Sequence, residues 1–432
     1  MTKKLSYEDA VAYLFGLQKY GIKFGLSKTS NLLRVFGNPH LHQRYIHIAG
    51  TNGKGSVAAM LESILMSSGL KVAFYSSPHL VRFTERFRIN GKEIHPGQVA
   101  DLVRDLRKVI DPTQPPTFFE VATAMALIYF AREEPDISIM EVGMGGRLDA
   151  TNVIRPMVSV ITNISLEHQA FLGRRLTDIA REKAGIIKPG IDLVTAATQP
   201  RVNEIFAKLC RKRKAPFWRV GREIRYRRNG TRLNYFGLGR TERDLELGLV
   251  GKHQFRNASL ALAVVELLEK RGFTVSSDHI RNGLYKARWP GRMQVVSERP
   301  LMILDGAHNP DAMRILVDSV REAFQWKHLI LVLGVMADKD ISKIMRRIVP
   351  VADYVLYTRP EYNRAAEPQV LMKEAAPFGK RGETVPTIPE ALRKARGLSE
   401  PGDLILVTGS LFTVGEAMAC LQPEAVQPDK LR

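Results

Sequence analysis

The sequence predicts an α/β fold, with helices on both faces of parallel sheets and two units along the chain. Three observations carry this. Short apolar runs rich in β-branched residues recur from Tyr45 onward, as fully buried parallel strands require. Helical-period segments lie between them. The stretch Arg288-Trp-Pro-Gly-Arg292 then concentrates the breakers expected at a boundary. A linker near residues 288–298 follows, with units of 1–290 and 291–432.

Tyr45–Ala49 reads as the first strand. A Gly-rich loop comes next, followed by Val57, Met60, Leu61, Ile64 and Leu65 at helical spacing. Gly69 suits a helix stop. Lys71–Tyr75, Ile137–Met140 and Val158–Thr162 read as further strands, and Phe119–Arg132 as an Ala- and Leu-rich helix. Gly221–Leu249 breaks the rhythm. It interleaves Arg with Ile, Tyr, Leu and Phe, and reads as antiparallel strands or an excursion from the main sheet. Asn257–Lys270 resumes a helix. In the second unit the strand-like runs are Leu301–Leu304, Leu329–Leu333, Tyr354–Tyr357 and Leu404–Val407, with Pro310–Phe324 a helix between the first two.

The 432 residues are 45 % apolar and 25 % charged, which excludes a disordered, collagenous or coiled-coil chain. No apolar run has the length of a membrane span. MTKKLSYEDA lacks the apolar stretch of a secretory signal. Cys210 and Cys420 are isolated and form neither a metal knuckle nor a disulfide framework, so a cytoplasmic setting is expected. The net charge is +20, and 14 basic against 3 acidic residues fall between Arg201 and Arg243. Such a field attracts polyanions. No nucleic-acid recognition motif accompanies it, so no nucleic-acid partner is expected.

The sharpest local signal is Gly50-Thr51-Asn52-Gly53-Lys54-Gly55-Ser56 between a strand and a helix. Glycines let several N–H groups converge, and the helix start adds partial positive charge. Lys54 suits terminal phosphate oxygens, and the Ser56 hydroxyl suits a magnesium ion. The strict G-x-x-x-x-G-K-[ST] pattern is not met. Its first glycine stands too close, and Gly55 separates Lys54 from Ser56.

Ligands in parallel sheets gather at the carboxyl ends of strands. Ser77, Glu141 and His168 lie beyond three such ends, on the edge of the phosphate loop. Together they suit Mg²⁺ held with nucleotide phosphates. Read singly, Glu141 also suits a helix cap or ion pair, His168 an ordinary loop histidine, and Ser77 a turn before Pro78. Lys183 reads on its own as a helix-surface lysine.

At these residues the chain resembles the folylpolyglutamate synthase/dihydrofolate synthase family of the Mur ligase superfamily. The resemblance runs in family order through GTNGKGS (50–56), YSSPHLVRFTERFRING (75–91), TFFEVATAMAL (117–127), EVGMGGRLDATNV (141–153), ITNISLEHQAFLG (161–173), REKAGIIKPG (181–190), GKHQFRNASLALA (251–263), PGRM (290–293) and DGAHNPDA (305–312). It implies an N-terminal P-loop ATPase domain and a smaller Rossmann-like C-terminal domain. It implies that Thr51, Asn52, Gly53, Lys54, Gly55 and Ser56 hold ATP phosphates. It also implies that Ser77, Glu141 and His168 hold magnesium, joining the Ser56 hydroxyl already read from the loop and aided by Lys183 after carbamylation by CO₂. Asn257, Arg292 and Asp305 match ATP contacts, with His308 near the phosphates. Lys54, His168 and Lys183 are the expected catalytic residues.

For the pterin-bearing substrate the resemblance points to Thr117, Phe118, Phe119 and Glu120, to Leu148, Asp149 and Ala150, and to the loop Gly25, Leu26 and Ser27. The expected reaction is ATP-dependent addition of L-glutamate to dihydropteroate, to folates, or to both. It would proceed through an acyl phosphate, on a monomer without a membrane partner. Ser165 and Glu167 depart from the residues common in the family at their positions. A Mur-type ligase acting on a cell-wall nucleotide peptide, or a P-loop ATPase binding nucleic acid through residues 201–243, are the alternatives.

Overall fold

The computed structural model describes residues 5–21, 23–422 and 429. Residues 1–4 of the polar stretch MTKKLSYEDA lie outside them. Strands β1 (Tyr45–Ala49), β2 (Val72–Tyr75), β3 (Phe87–Ile89), β4 (Lys92–Glu93), β5 (Ile137–Glu141), β6 (Val158–Ile161), β7 (Asp192–Thr195) and β8 (Phe217–Arg219) form one sheet in the order β4-β3-β2-β5-β1-β6-β7-β8. From β2 to β8 along that order the strands are parallel, whereas β3 and β4 turn back antiparallel at one edge. β1 is central and wholly buried. Its neighbours are β5 and β6, so the loop leaving β1 lies between Glu141 and the segment after β6.

Each sheet face carries its own core. On one side the helices Lys54–Ser67 and Lys252–Glu269 pack with β1, β5 and β6. On the other, Tyr7–Gly16, Pro96–Arg107 and Phe118–Glu133 cover the sheet. The helix Lys54–Ser67 buries most of its circumference. It is flanked by Lys252–Glu269 and by Ser277–Lys286, whose Gly283 has no room for a Cβ against the Ile64 backbone.

The rhythm-breaking stretch is a three-stranded antiparallel meander, β9 (Arg225–Asn229), β10 (Arg232–Phe236) and β11 (Thr241–Glu246). Leu233, Tyr235 and Leu245 turn inward to the core. The Tyr235 hydroxyl donates to the Glu266 carboxylate at 2.5 Å, which also accepts the backbone N–H groups of Leu238, Gly239 and Arg240. Several of the arginines here are engaged within the chain. Arg219 pairs with Glu223, Arg232 with Glu246, and Arg240 with Glu242 and Glu269. Arg228 reaches Glu322 of the C-terminal half, joined there by Lys252 at 3.1 Å.

The C-terminal sheet contains β12 (Gln294–Glu298), β13 (Leu301–Asp305), β14 (Leu329–Leu333), β15 (Tyr354–Tyr357), β16 (Arg381–Thr384) and β17 (Leu404–Thr408), ordered β12-β13-β17-β14-β15-β16. Its four interior strands are the four apolar runs. The expected linker needs correction: residues 294–298 are antiparallel to β13, with a register shift between Val295 and Ser297. The connection is shorter because edge strands stay partly exposed and need little apolar character. Helix Pro310–Ala323 begins at Asn309, whose side chain caps Ala312 N–H at 2.8 Å. It presents its first turn to the N-terminal half.

Candidate active site

The site begins where β1 ends. Gly50 has φ +146°, and a Cβ there would sit 1.8 Å from Thr162 Oγ1. Gly53, at φ +86°, precedes helix Lys54–Ser67 and abuts the Asn257 side chain. Only glycine adopts these turns without strain. The loop is pinned from the β6 side. Thr51 N–H donates to Asn163 O at 3.0 Å, Asn52 N–H to Asn163 Oδ1 at 2.8 Å, and Thr162 Oγ1 to Asn52 O at 2.7 Å. The Thr51 hydroxyl is spent on Ser165, accepting its N–H at 3.1 Å. Thr51 therefore shapes the loop from behind. Lys54 curls over the loop and donates to Gly50 O at 3.1 Å and Thr51 O at 3.4 Å. Ser56 Oγ accepts from Gln254 Nε2 at 3.4 Å, and Asn257 Nδ2 donates to Gln254 Oε1 at 2.9 Å. Gln254 was not singled out in the sequence; its signal was its place three residues before Asn257 on one helix.

Lys183 is wholly buried at the end of helix Leu176–Lys183. Its ammonium donates to Gly50 O at 2.9 Å and to Glu167 Oε1 at 2.7 Å. Burial pushes the Lys183 pKa below the lysine range, and Glu167 opposes that. Burial alone would raise Glu167, but Lys183, Lys54 and His168 together bring it down to about 2. Burial holds His168 at about 4. Glu141, the last residue of β5, is buried. Desolvation raises its carboxyl, while Lys54 and Arg292 act in the other direction. Lys54 thus acts electrostatically on Glu141, Glu167, His168 and Lys183 alike. Sequence reading noted Glu167 but gave it no role.

The C-terminal half closes the site. Asn309 Nδ2 donates to Asn52 Oδ1 at 3.1 Å, and Ser165 Oγ to Asp311 Oδ2 at 3.0 Å. The Asp305 carboxylate accepts the N–H groups of Met293 and Ala307, both at 2.9 Å, with Arg292 beside it. His308 is oriented by a 2.8 Å contact with Gly306 O. Two clefts open between the halves. A cleft of about 700 Å³ is lined by Glu167, His168, Phe171, His308, Asn309 and Lys339. A cleft of about 330 Å³ is lined by Gly55, Ser77, Glu141, Trp289 and Arg292. Ser77 and Glu141 are therefore together, and His168 faces the neighbouring cleft with His308.

The Mur ligase middle domain family matches residues 48–265, and the Mur ligase glutamate ligase domain family matches residues 291–411. The dihydrofolate synthase/folylpolyglutamate synthase of Bacillus subtilis is 32 % identical over 424 residues, covering 95 % of this chain and 98 % of that protein. The chain belongs to the folylpolyglutamate synthase/dihydrofolate synthase family. Two solved members illustrate the likeness. E. coli FolC in complex with DHPP and ADP superposes with a TM-score of 0.87 at 33 % identity, over 96 % of this chain and 98 % of that one. The Yersinia pestis bifunctional enzyme complexed with AMPPNP and a Mn ion gives 0.87 at 32 %, with the same coverage.

The family's acceptor residues are placed less simply. Gly25 N–H donates to Leu148 O at 3.4 Å, which brings the N-terminal loop against residues 148–150. Leu26 and Ser27 open the helix Ser27–Val35. Thr117 and Glu120 form a capping box on helix Phe118–Glu133, with Thr117 N–H and Oγ1 both on Glu120 Oε2, at 2.7 and 2.9 Å. Phe118 stacks on Phe15 at 5.7 Å, and Phe119 lies against Gly143. The Asp149 carboxylate accepts from Met144 N–H and from Thr151 N–H and Oγ1. These polar atoms organise their own loops, and what remains for a ligand is the shape they create.

Among the described residues no three His, Cys, Asp or Glu side chains converge as a metal cluster. Glu141, Ser77 and Ser56 are hard oxygen donors, which fits Mg²⁺ completed by phosphate oxygens and water. Lys183 as found is an amine paired with Glu167 and offers a cation nothing.

Two imidazoles outside this donor set, His47 buried and His253 half-buried, give a pH prediction. Burial holds His47 at about 3, and burial with Arg292 holds His253 at about 4. Both lie below the ordinary 6.5, so the unfolded chain binds protons first as pH falls. Stability should be full above pH 6.5 and decline as pH drops toward 3. Thermal melts across that range check this. His47→Gln should flatten the decline, and an unchanged slope would exclude His47 as a source.

Proposed function

We propose that this chain uses ATP to join L-glutamate to a pterin-bearing carboxylic acid. Dihydropteroate gives dihydrofolate, and the γ-carboxylate of tetrahydrofolate-type folates gives polyglutamates. The observation that carries the reading is Lys54 on a glycine-built loop at a helix start, its ammonium on the Gly50 and Thr51 carbonyls, with the Lys183–Glu167 pair seated on the same Gly50 carbonyl. The family's nucleotide, DHPP and manganese complexes support the substrate classes. ATP phosphates lie on Asn52 to Ser56, with Asn257, Arg292, Asp305 and His308 reaching the nucleotide from the other side. The acceptor lies along Gly25 to Ser27, Thr117 to Glu120 and Leu148 to Ala150. The two domains meet near residue 290, and the chain works as a cytoplasmic monomer.

The acceptor carboxylate attacks the γ-phosphorus, giving an acyl phosphate and ADP. The glutamate amine then displaces phosphate from the carbonyl carbon. Two anions must meet in the first step, so the protein's task is positioning and charge neutralisation. Lys54 exchanges its two loop carbonyls for phosphate oxygens, and the N–H groups of the helix start face the same charge. Mg²⁺, when bound, neutralises and orients the phosphate oxygens. Ser56, Ser77 and Glu141 are the oxygen donors that would hold it, and His168, on the adjoining cleft, is the proposed further ligand. Carbamylation of the buried Lys183 turns a cation beside that site into an anion. Asn309 on Asn52 and Asp311 on Ser165 bring the C-terminal half over the loop, where it excludes water from the acyl phosphate.

Acceptor labelled with ¹⁸O in its carboxylate tests the chemistry. One label should appear in the released phosphate; unlabelled phosphate would contradict an acyl phosphate. For the metal, His168→Ala should raise the Mg²⁺ concentration at half-activity by about 10-fold or more. An unchanged Mg²⁺ titration would remove His168 from the metal site.

A further inference from the structure

The departure from the usual phosphate-loop pattern has a structural cause. A Cβ on Gly55 would lie 2.5, 2.6 and 2.8 Å from Nε1, Cε2 and Cζ2 of the Trp289 indole. Gly55 is inside a helix, with no positive φ that would call for glycine. The indole therefore takes the space that the side chain of the residue between Lys54 and Ser56 would fill. Trp289 belongs to the connection between the two sheets.

That ring is held from several sides. It stacks on Phe74 of β2 with centroids 5.4 Å apart and planes 27° from parallel. The Arg88 guanidinium lies 4.6 Å from the Phe74 ring and 4.9 Å from the Trp289 ring. Arg88 is tied in turn to Glu62, on the phosphate-loop helix, by a largely buried 2.7 Å ion pair. Upstream, Gly283 seats helix Ser277–Lys286 on Ile64 of the same helix. Downstream, Met293 is bound to Asp305 at the end of β13. The connection is laid along the phosphate-loop helix and then handed to the C-terminal sheet. Trp289 also walls the cleft that holds Ser77, Glu141 and Arg292.

We propose that Trp289 is a positioning residue that couples the domain connection to the phosphate loop. An indole has only two side-chain torsions, and this one is stacked on Phe74 with Arg88 beside it, so pushing it presses on the connection that carries it. A shift at Lys54–Ser56 when a nucleoside triphosphate binds is carried through the indole to Arg292 and β13. The inference rests on the nucleotide reading of the loop, and extends it to how the two halves move together.

A double-mutant cycle tests it. Trp289→Leu should raise KM for ATP and lower kcat, each by about 10-fold, since small displacements at a reacting centre are costly. Trp289→Phe, which keeps a ring on Phe74, should stay within about threefold of wild type. Gly55→Ala should be harmful in the wild-type background by about 10-fold, but should add less than about twofold in Trp289→Leu, because the obstructing ring is gone. Equal penalties in both backgrounds would overturn the proposal, as would a normal KM for ATP in Trp289→Leu.

A second readout does not depend on turnover. Titrating the chain with ADP, without acceptor, should change its tryptophan emission. Trp289→Phe, which keeps Trp218 and Trp326, should lose that change while still binding ADP by calorimetry. An unaltered emission change in Trp289→Phe would overturn the coupling. A wild-type chain that binds no ADP would instead overturn the nucleotide reading of the loop.

Discussion

Lys54→Ala should lower ligation by about 10²–10³-fold or more while leaving the fold intact. The scale is that of removing one preorganised donor from a developing anion. The fold should survive because, among the described residues, the Lys54 ammonium donates only to the backbone carbonyls of Gly50 and Thr51. One of these, Gly50 O, keeps a second donor in Lys183. The loop itself is pinned by Asn163, Thr162 and Ser165, none of which needs Lys54. Removing the lysine also strips one cation from the surroundings of Glu141 and Glu167. ADP release with all substrates present, alongside a thermal melt, checks both halves. Near-normal turnover would exclude Lys54 from the phosphate site.

Lys183→Ala should be costly in a different way. Where Lys183 is the free amine, the substitution leaves Glu167 buried without its partner at 2.7 Å, and breaking a buried pair on one side costs about 3–5 kcal/mol. The sign with pH follows from Glu167. Its folded value of about 2 lies below the ordinary 4.5, so the pair's contribution is present above pH 4.5 and disappears as pH falls toward 2. In Lys183→Ala that contribution is missing at neutral pH, and the variant should lose little more on acidification. Lys183→Ala/Glu167→Ala should regain much of the stability, since both charges are gone, but not the ligation. Denaturant midpoints at pH 7 and pH 3, the second inside the window where the pair's contribution is being lost, with turnover for both variants, separate structure from chemistry. A double variant with restored activity would show that Lys183 serves only to neutralise Glu167.

The parts of the fold legible in the sequence were those where burial on both faces forces a continuous apolar run. β1, β2, β5 and β6 were read that way, as were the four interior strands of the C-terminal sheet. The edge strands were missed for the converse reason. Lys92–Glu93 and Arg381–Thr384 are short and polar, and Gln294–Glu298 begins beside breakers that read as linker. Helix Phe118–Glu133 carried a legible cap in Thr117-x-x-Glu120, yet the resemblance directed those residues toward substrate.

At the site, Gly50 to Ser56 could be read because one loop holds its own chemistry. The pairing of Lys183 with Glu167 was hidden, because it joins the ends of two segments that only the tertiary fold brings together. Gln254 and Trp289 were hidden likewise: their roles are contacts with the phosphate-loop helix, and neither residue type announces a ligand. Gly55 was the visible half of such a contact, recorded in the sequence only as a departure from a pattern.

Cleavage of ATP is tied to joining glutamate and a pterin acid. The most direct test of that coupling is ADP release measured with Mg²⁺, ATP and glutamate, supplying dihydropteroate and tetrahydrofolate in separate assays. One ADP per amide formed is expected with each acceptor, and negligible ADP when either acceptor or glutamate is withheld. ADP released at the same rate without acceptor, or no amide product with either, would contradict it.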